Sequence, residues 1–290
     1  MGSRVRASLP TWGATVLAAV LLFATPSLAI ERVDLELVLA VDVSRSVDYL
    51  EAKLQREGYI SAFANPILLA AIKGGYHGRI AVTYVEWSSR GQTRIVAPWT
   101  LIGDAKDADA FNHLPRTEHI SFGDRTSLSG VIDLAVSMFP VNAFDGDRRV
   151  IDISGDGPNN AGGLITASRD EAVARGITIN GLPIINTNGG PQQTMLDLDE
   201  YFRGCVIGGP GAFLVVAEGF EAFAEAITRK LILEIAAVEP MGVERFTRAQ
   251  FLPRQAPLGA PPTYAPGCDI GERRMNGPPL PPPFQDFQFR

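Results

Sequence analysis

The chain is poor in the residues that build soft metal clusters, with 2 Cys and 3 His among 290 residues. A thiolate cluster or a His-rich zinc site therefore lacks material. It also lacks an excess of positive charge, since 26 Lys+Arg stand against 32 Asp+Glu for a net charge of -6. Proteins that grip nucleic acid by neutralising phosphates carry a basic domain or stripe, so no nucleic-acid partner is expected. The amino-terminal apolar run, Val16 to Ala24, is well short of the roughly 20 residues that span a bilayer. What is present is an ordinary globular composition, 46% hydrophobic and 20% charged, which excludes wholesale disorder and supplies one sizeable core or two small ones.

Arg4 and Arg6, the apolar run, Pro26 and the ending Ser27-Leu28-Ala29 read as an export leader cleaved after Ala29. A retained membrane anchor is the alternative. Losing Arg4 and Arg6 takes the net charge from -6 to -8, leaving an acidic chain without a membrane span. Periplasmic residence is expected, with release into the medium as the alternative. In an oxidising compartment Cys205 and Cys268 are expected to pair; two unpaired thiols are the other reading.

Leu35 to Val41 is a continuous apolar stretch with one acid, the pattern of a strand buried on both faces. Asp48 and Glu51 have the spacing to cap a helix reaching about Ala64. Further strands are expected at 79–87, 93–97, 149–154, 177–184 and 213–216, and helices at 104–114, 127–139, 165–175 and 220–236. Gly176 stands where a helix-terminating glycine belongs. Strands alternating with helices predict one α/β domain over residues 30–237: a doubly wound, mostly parallel six-stranded sheet covered on both faces. Residues 238–290 hold 11 of the 21 prolines, including Pro278-Pro279-Leu280-Pro281-Pro282-Pro283, and read as an extended tail with little regular structure. Phe284, Phe287 and Phe289 at its end are suited to packing back on the domain or docking on a partner.

Ligands of open α/β sheets bind outside the carboxyl ends of the strands. Asp42, Ser44 and Ser46 follow the first strand, Thr126 opens a helix, and Asp156 follows the strand ending at Ser154. Each has an ordinary explanation as a cap or turn residue. Together they are five oxygen donors on one rim. Only two are carboxylates, which suits a hard divalent cation: Mg2+ first, with Ca2+ or Mn2+ as alternatives. Charge left unneutralised by hydroxyl ligands would attract an anionic oxygen from a partner's Asp or Glu. Asn159 and Asn160 are suited to orienting water or ligand at the site, or simply to stabilising the turn.

Asp42-Val43-Ser44-Arg45-Ser46, Thr126 in a Gly-Asp-Arg-Thr-Ser loop, and Ser154-Gly155-Asp156-Gly157 resemble the metal-ion-dependent adhesion site of von Willebrand factor type A domains. Within that fold the chain is most similar to a bacterial exported group known as a domain of unknown function, DUF1194. The resemblance implies that Ser44, Ser46 and Thr126 hold the metal directly and Asp42 and Asp156 mostly through water. It implies a strand order 3-2-1-4-5-6 with the third strand antiparallel. It also implies that such domains often switch affinity by shifting the last helix, here about 220–236.

An enzyme is not expected. No GxSxG, HExxH or GxxxxGK[ST] pattern is present, and His77, His113 and His119 have no metal-ligand spacing. Asp42 lacks the second aspartate of haloacid-dehalogenase-like phosphotransferases, because Ser44 occupies that place. Gly208 to Gly211 lacks the lysine of a phosphate loop and reads as a tight turn. The expected function is metal-dependent capture of a protein ligand, with 157–163 and 186–190 as specificity loops. A metal-dependent hydrolase and a purely structural domain are the alternatives, and the oligomeric state is left open.

Overall fold

The computed structural model describes residue 2 and residues 30–112, 123–186, 195–237, 244–246, 264 and 266–276. The leader, His113, His119, residues 187–190, the 278–283 proline run and the three terminal phenylalanines lie outside the described residues.

Strand β1 (Glu31–Asp42) runs through the centre of a five-stranded sheet. Its side chains alternate between two cores, which explains the unbroken apolar run. Leu35, Leu37, Leu39 and Val41 enter one core, and Val38 and Ala40 the other. The single acid of the run, Glu36, is fully buried and accepts from Asn142 Nδ2, Gly146 N and Arg149 Nε.

Helix α1 (Tyr49–Phe63) opens on the expected capping box, with Asp48 accepting from Glu51 N and Glu51 accepting from Asp48 N, each at 2.8 Å. Helix α2 (Pro66–Lys73) follows, then β2 (Ile80–Trp87), the antiparallel β3 (Thr93–Ile102), α3 (Ala105–Asn112) and α4 (Leu128–Met138). Next come β4 (Phe144–Gly155), α5 (Ile165–Ala174), β5 (Thr178–Pro183) and α6 (Leu198–Tyr201), which runs into a π-helical turn at Phe202–Val206. Gly176 ends α5 at φ +74°, as expected. The last elements are β6 (Val215–Ala217), α7 (Phe223–Ile235), β7 (Glu244–Phe246) and α8 (Ile270–Asn276). Among the described residues no helix is long and apolar enough to cross a membrane.

The strand order β3-β2-β1-β4-β5 follows the expected order for five positions. The sixth differs. β6 touches β5 only through isolated bridges at Gly181–Leu214 and Ile184–Ala217, and its continuous ladder is with β7 in a separate two-stranded sheet. Both bridges are parallel, so β6 runs alongside β5 at the sheet's edge without a continuous ladder to it. Among its described residues the tail holds two short elements, β7 and α8.

Helices α1, α2 and α7 cover one face, with Tyr59, Phe63, Leu68, Phe223, Ile227 and Leu231 in its core. Helices α4 and α5 and the turn after α6 cover the other, with Leu128, Ile132, Ala172, Phe202 and Cys205. Cys205 and Cys268 form a disulfide that ties the segment before α8 to this second face.

Candidate metal centre

The carboxyl ends of β1 and β4 adjoin in register, with Val41 opposite Ser154, so the loops that leave them emerge side by side. The turn after β1 is anchored by Val43 N donating to Trp87 O, and Arg45 N donating to Gly123 O fastens it to the loop before α4. Three loops thereby share one rim.

All five expected ligand residues meet there. Asp42 Oδ1 accepts from Ser44 N at 2.7 Å. Ser44 Oγ and Ser46 Oγ are 3.0 Å apart, Ser46 Oγ donates to Asp156 Oδ1 at 2.6 Å, and Thr126 Oγ1 lies 3.4 Å from Ser44 Oγ. Asp42, Ser44, Thr126 and Asp156 are buried, and Ser46 is half-buried toward the solvent side. Gly155 makes room for the cluster: a Cβ there would stand 3.1 Å from Asp42 Oδ2.

The electrostatics of this cluster are unbalanced. Burial, and then the charge of Asp156, hold the Asp42 carboxyl well above the usual carboxylate range. Burial pushes Asp156 up to about 6, opposed by the hydrogen bond from Ser46 and reinforced by the charge of Glu51. The charges acting on the two groups are those of other acids. Asp42 Oδ2 is buried without a hydrogen-bond partner. A buried carboxylate oxygen left unpaired is costly, and an oxygen-lined cleft with surplus negative charge fits a hard divalent cation.

Neighbouring residues fix this geometry. Gln55 Nε2 donates to Asp42 O at 3.0 Å. Asn160 Oδ1 accepts from Thr126 N at 2.8 Å, while Asn160 N donates to Thr126 O at 2.9 Å. Asn159 Oδ1 accepts from Ser129 N at 3.0 Å in the first turn of α4. The two asparagines thus brace the Thr126 loop. Glu51, read from the sequence as a cap, also receives a hydrogen bond from Asn186 Nδ2 at 3.1 Å and adds negative charge near Asp156. Sequence reading missed Glu272, whose Oε1 accepts from Asn159 Nδ2 at 2.7 Å across 113 residues of chain. No local spacing signals such a contact.

A second group of potential ligands, Asp34, His77 and Asp147, lies at the opposite, amino end of the strands. Asp34 accepts from the backbone N–H groups of His77 and Arg79, and Asp147 pairs with Arg32. Asp147 Oδ2 also lies 3.3 Å from His77 Nε2. Gly208 to Gly211 forms a turn, with Gly209 and Gly211 at positive φ, before β6.

Fold and strand order define a von Willebrand factor type A-like domain. Residues 32–239 match the family described as "Protein of unknown function (DUF1194)", and the chain belongs to it. Among solved structures it is similar to proximal thread matrix protein 1 from the mussel byssus, at 13% identity and TM-score 0.50, over 70% of this chain and 48% of that one. It is also similar to the pilus adhesin SpaC from Lactobacillus rhamnosus GG, at 15% identity and TM-score 0.51, over 70% and 30%. A von Willebrand factor type A protein from Catenulispora acidiphila aligns at 14% identity and TM-score 0.46, over 70% and 43%. At these identities the likeness is one of fold, and the chain spans about half or less of each of these proteins. Comparison with curated proteins by sequence finds no match.

Proposed function

We propose that the protein is a non-catalytic binding module that captures an acidic side chain of a protein ligand through a divalent cation. Asp42, Ser44, Ser46, Thr126 and Asp156 would hold the ion, with Mg2+ preferred over Ca2+ and Mn2+. The ion supplies a Lewis-acidic position that the partner's Asp or Glu carboxylate fills. The observation that carries the reading is the meeting of three hydroxyls and two carboxylates from three loops, with Asp42 Oδ2 buried and without a hydrogen-bond partner. Hydroxyl ligands leave the ion electron-poor, which favours an outside anion. The loop at 157–163 and Asn186 flank the site and would set specificity. The fold shared with a pilus adhesin is consistent with a protein ligand.

The reading extends to the whole chain as a leader at 1–29, a binding domain at 30–237 and a tail at 238–290, exported and resident in the periplasm. Titration calorimetry of the chelator-treated protein tests it. Mg2+, Mn2+ or Ca2+ should bind, and Asp42→Ala should abolish binding while circular dichroism shows the fold retained. Absence of binding by all three ions overturns the proposal. Hydrolysis of generic ester or phosphate substrates that Asp156→Ala removes would replace it with the hydrolase reading.

A further inference from the structure

The disulfide-tethered segment does more than cover apolar surface. Cys268 is joined to Cys205 in the turn after α6, and α8 begins two residues later. Gly271 in α8 lies so close to the Asn159 carbonyl that any Cβ would collide with it. Glu272 Oε1 accepts from Asn159 Nδ2, and Tyr201 Oη accepts from Asn159 N at 3.1 Å. The same tyrosine ring packs edge-on against Tyr264, whose hydroxyl donates to Asp197 Oδ2 at 2.8 Å. Asn159 is fully buried among these partners.

What the segment grips on one side, the site uses on the other. Asn159 stands three residues after Asp156 and carries Ser129 N on its Oδ1, while its neighbour Asn160 carries Thr126 N. A continuous path therefore runs from the disulfide through Glu272 to the loops bearing Asp156 and Thr126. Tyr264 and residues 266–276 lie beyond residues 32–239, the family-matched region, so they are built onto that domain rather than part of its match.

We propose that Tyr264 and residues 266–276 form a strap that positions the metal centre, with Glu272 as a positioning residue acting through Asn159. The proposal rests on reading the site as a metal centre. Groups that orient a metal's surroundings without touching it typically change affinity by about 10- to 100-fold when removed.

Two readouts on the full chain test it: Mn2+ affinity by electron paramagnetic resonance, and amide hydrogen exchange at Thr126 and Ser129. Glu272→Ala should weaken Mn2+ binding about 10-fold or more and speed exchange at both amides. Glu272→Gln keeps a carbonyl acceptor for Asn159 Nδ2 and should restore both. Unchanged affinity and exchange in Glu272→Ala overturn the strap, even where the melting temperature falls, because that result marks α8 as mere cover. Should the wild-type protein bind no Mn2+, Mg2+ or Ca2+, the metal reading fails by itself. Amide exchange in Glu272→Ala then decides alone whether the strap holds the loops.

Discussion

At the scale of single residues, the cluster around Asp42 and Asp156 sets a pH dependence whose sign follows from burial. Both carboxyls bind protons more tightly in the folded chain than in the unfolded one, where an aspartate titrates near 3.8. Without metal, the stabilisation Asp156 confers is present below about pH 4 and is lost as pH rises through about 6, and Asp42 acts in the same direction. A cation competes with those protons. The rise in melting temperature on adding Mg2+ should therefore be small at pH 5 and larger at pH 7, and Asp156→Asn should flatten that difference. Differential scanning calorimetry across this range checks it. The clustering of these side chains was legible because Asp42, Ser44 and Ser46 are neighbours in sequence, and Thr126 and Asp156 sit at recognisable ends of elements. Asn159 was seen only as a candidate, since its partners are a backbone N–H and a carboxylate 113 residues away.

At the scale of elements, α7 is fastened to the sheet by a buried charge cluster. Lys230 Nζ lies 2.5 Å from Asp152 Oδ1 on β4 and 3.1 Å from Glu234 Oε2 one turn along α7. Burial raises Asp152 to about 7 despite the lysine. Removing the cation strands two acids in the core. Lys230→Met is expected to cost about 3 to 5 kcal/mol, measured as a lower urea midpoint at pH 7.5. Part of that loss should be recovered at pH 6, where Asp152 takes up a proton. Such a cluster was invisible in the sequence, where Lys230 reads as one charge on an amphipathic helix. Strand centres were legible from their apolar runs, whereas their ends were not. β4 begins five residues before its apolar core because Asp145 and Asp147 are paired with Arg32 on β1. β3 continues past Ala97, its expected end, through Pro98, as an edge strand where a missing N–H is tolerated. Helix α2 was missed although Asn65 caps it and Pro66 opens it, a start signal that sequence rules contain.

At the scale of the whole molecule, the Cys205–Cys268 bridge closes a loop across a sequence separation of 63 residues. In the chain-entropy account a closure of that length stabilises the folded state by about 4 kcal/mol. Replacing both cysteines by serine should lower the denaturation midpoint accordingly, and adding a reductant to the wild-type protein should reproduce the shift. The pairing was the outcome expected for two cysteines in a chain whose amino terminus reads as an export leader. The tail's two described elements lie in stretches without proline. The prolines are dense at 278–283, while 270–276 contains none and folds as α8. The same covalent ring has a topological consequence for proteolysis. A single cut anywhere between residues 205 and 268 leaves both fragments on one molecule, so a nicked sample runs undivided on a non-reducing gel and separates into two bands once a thiol is added.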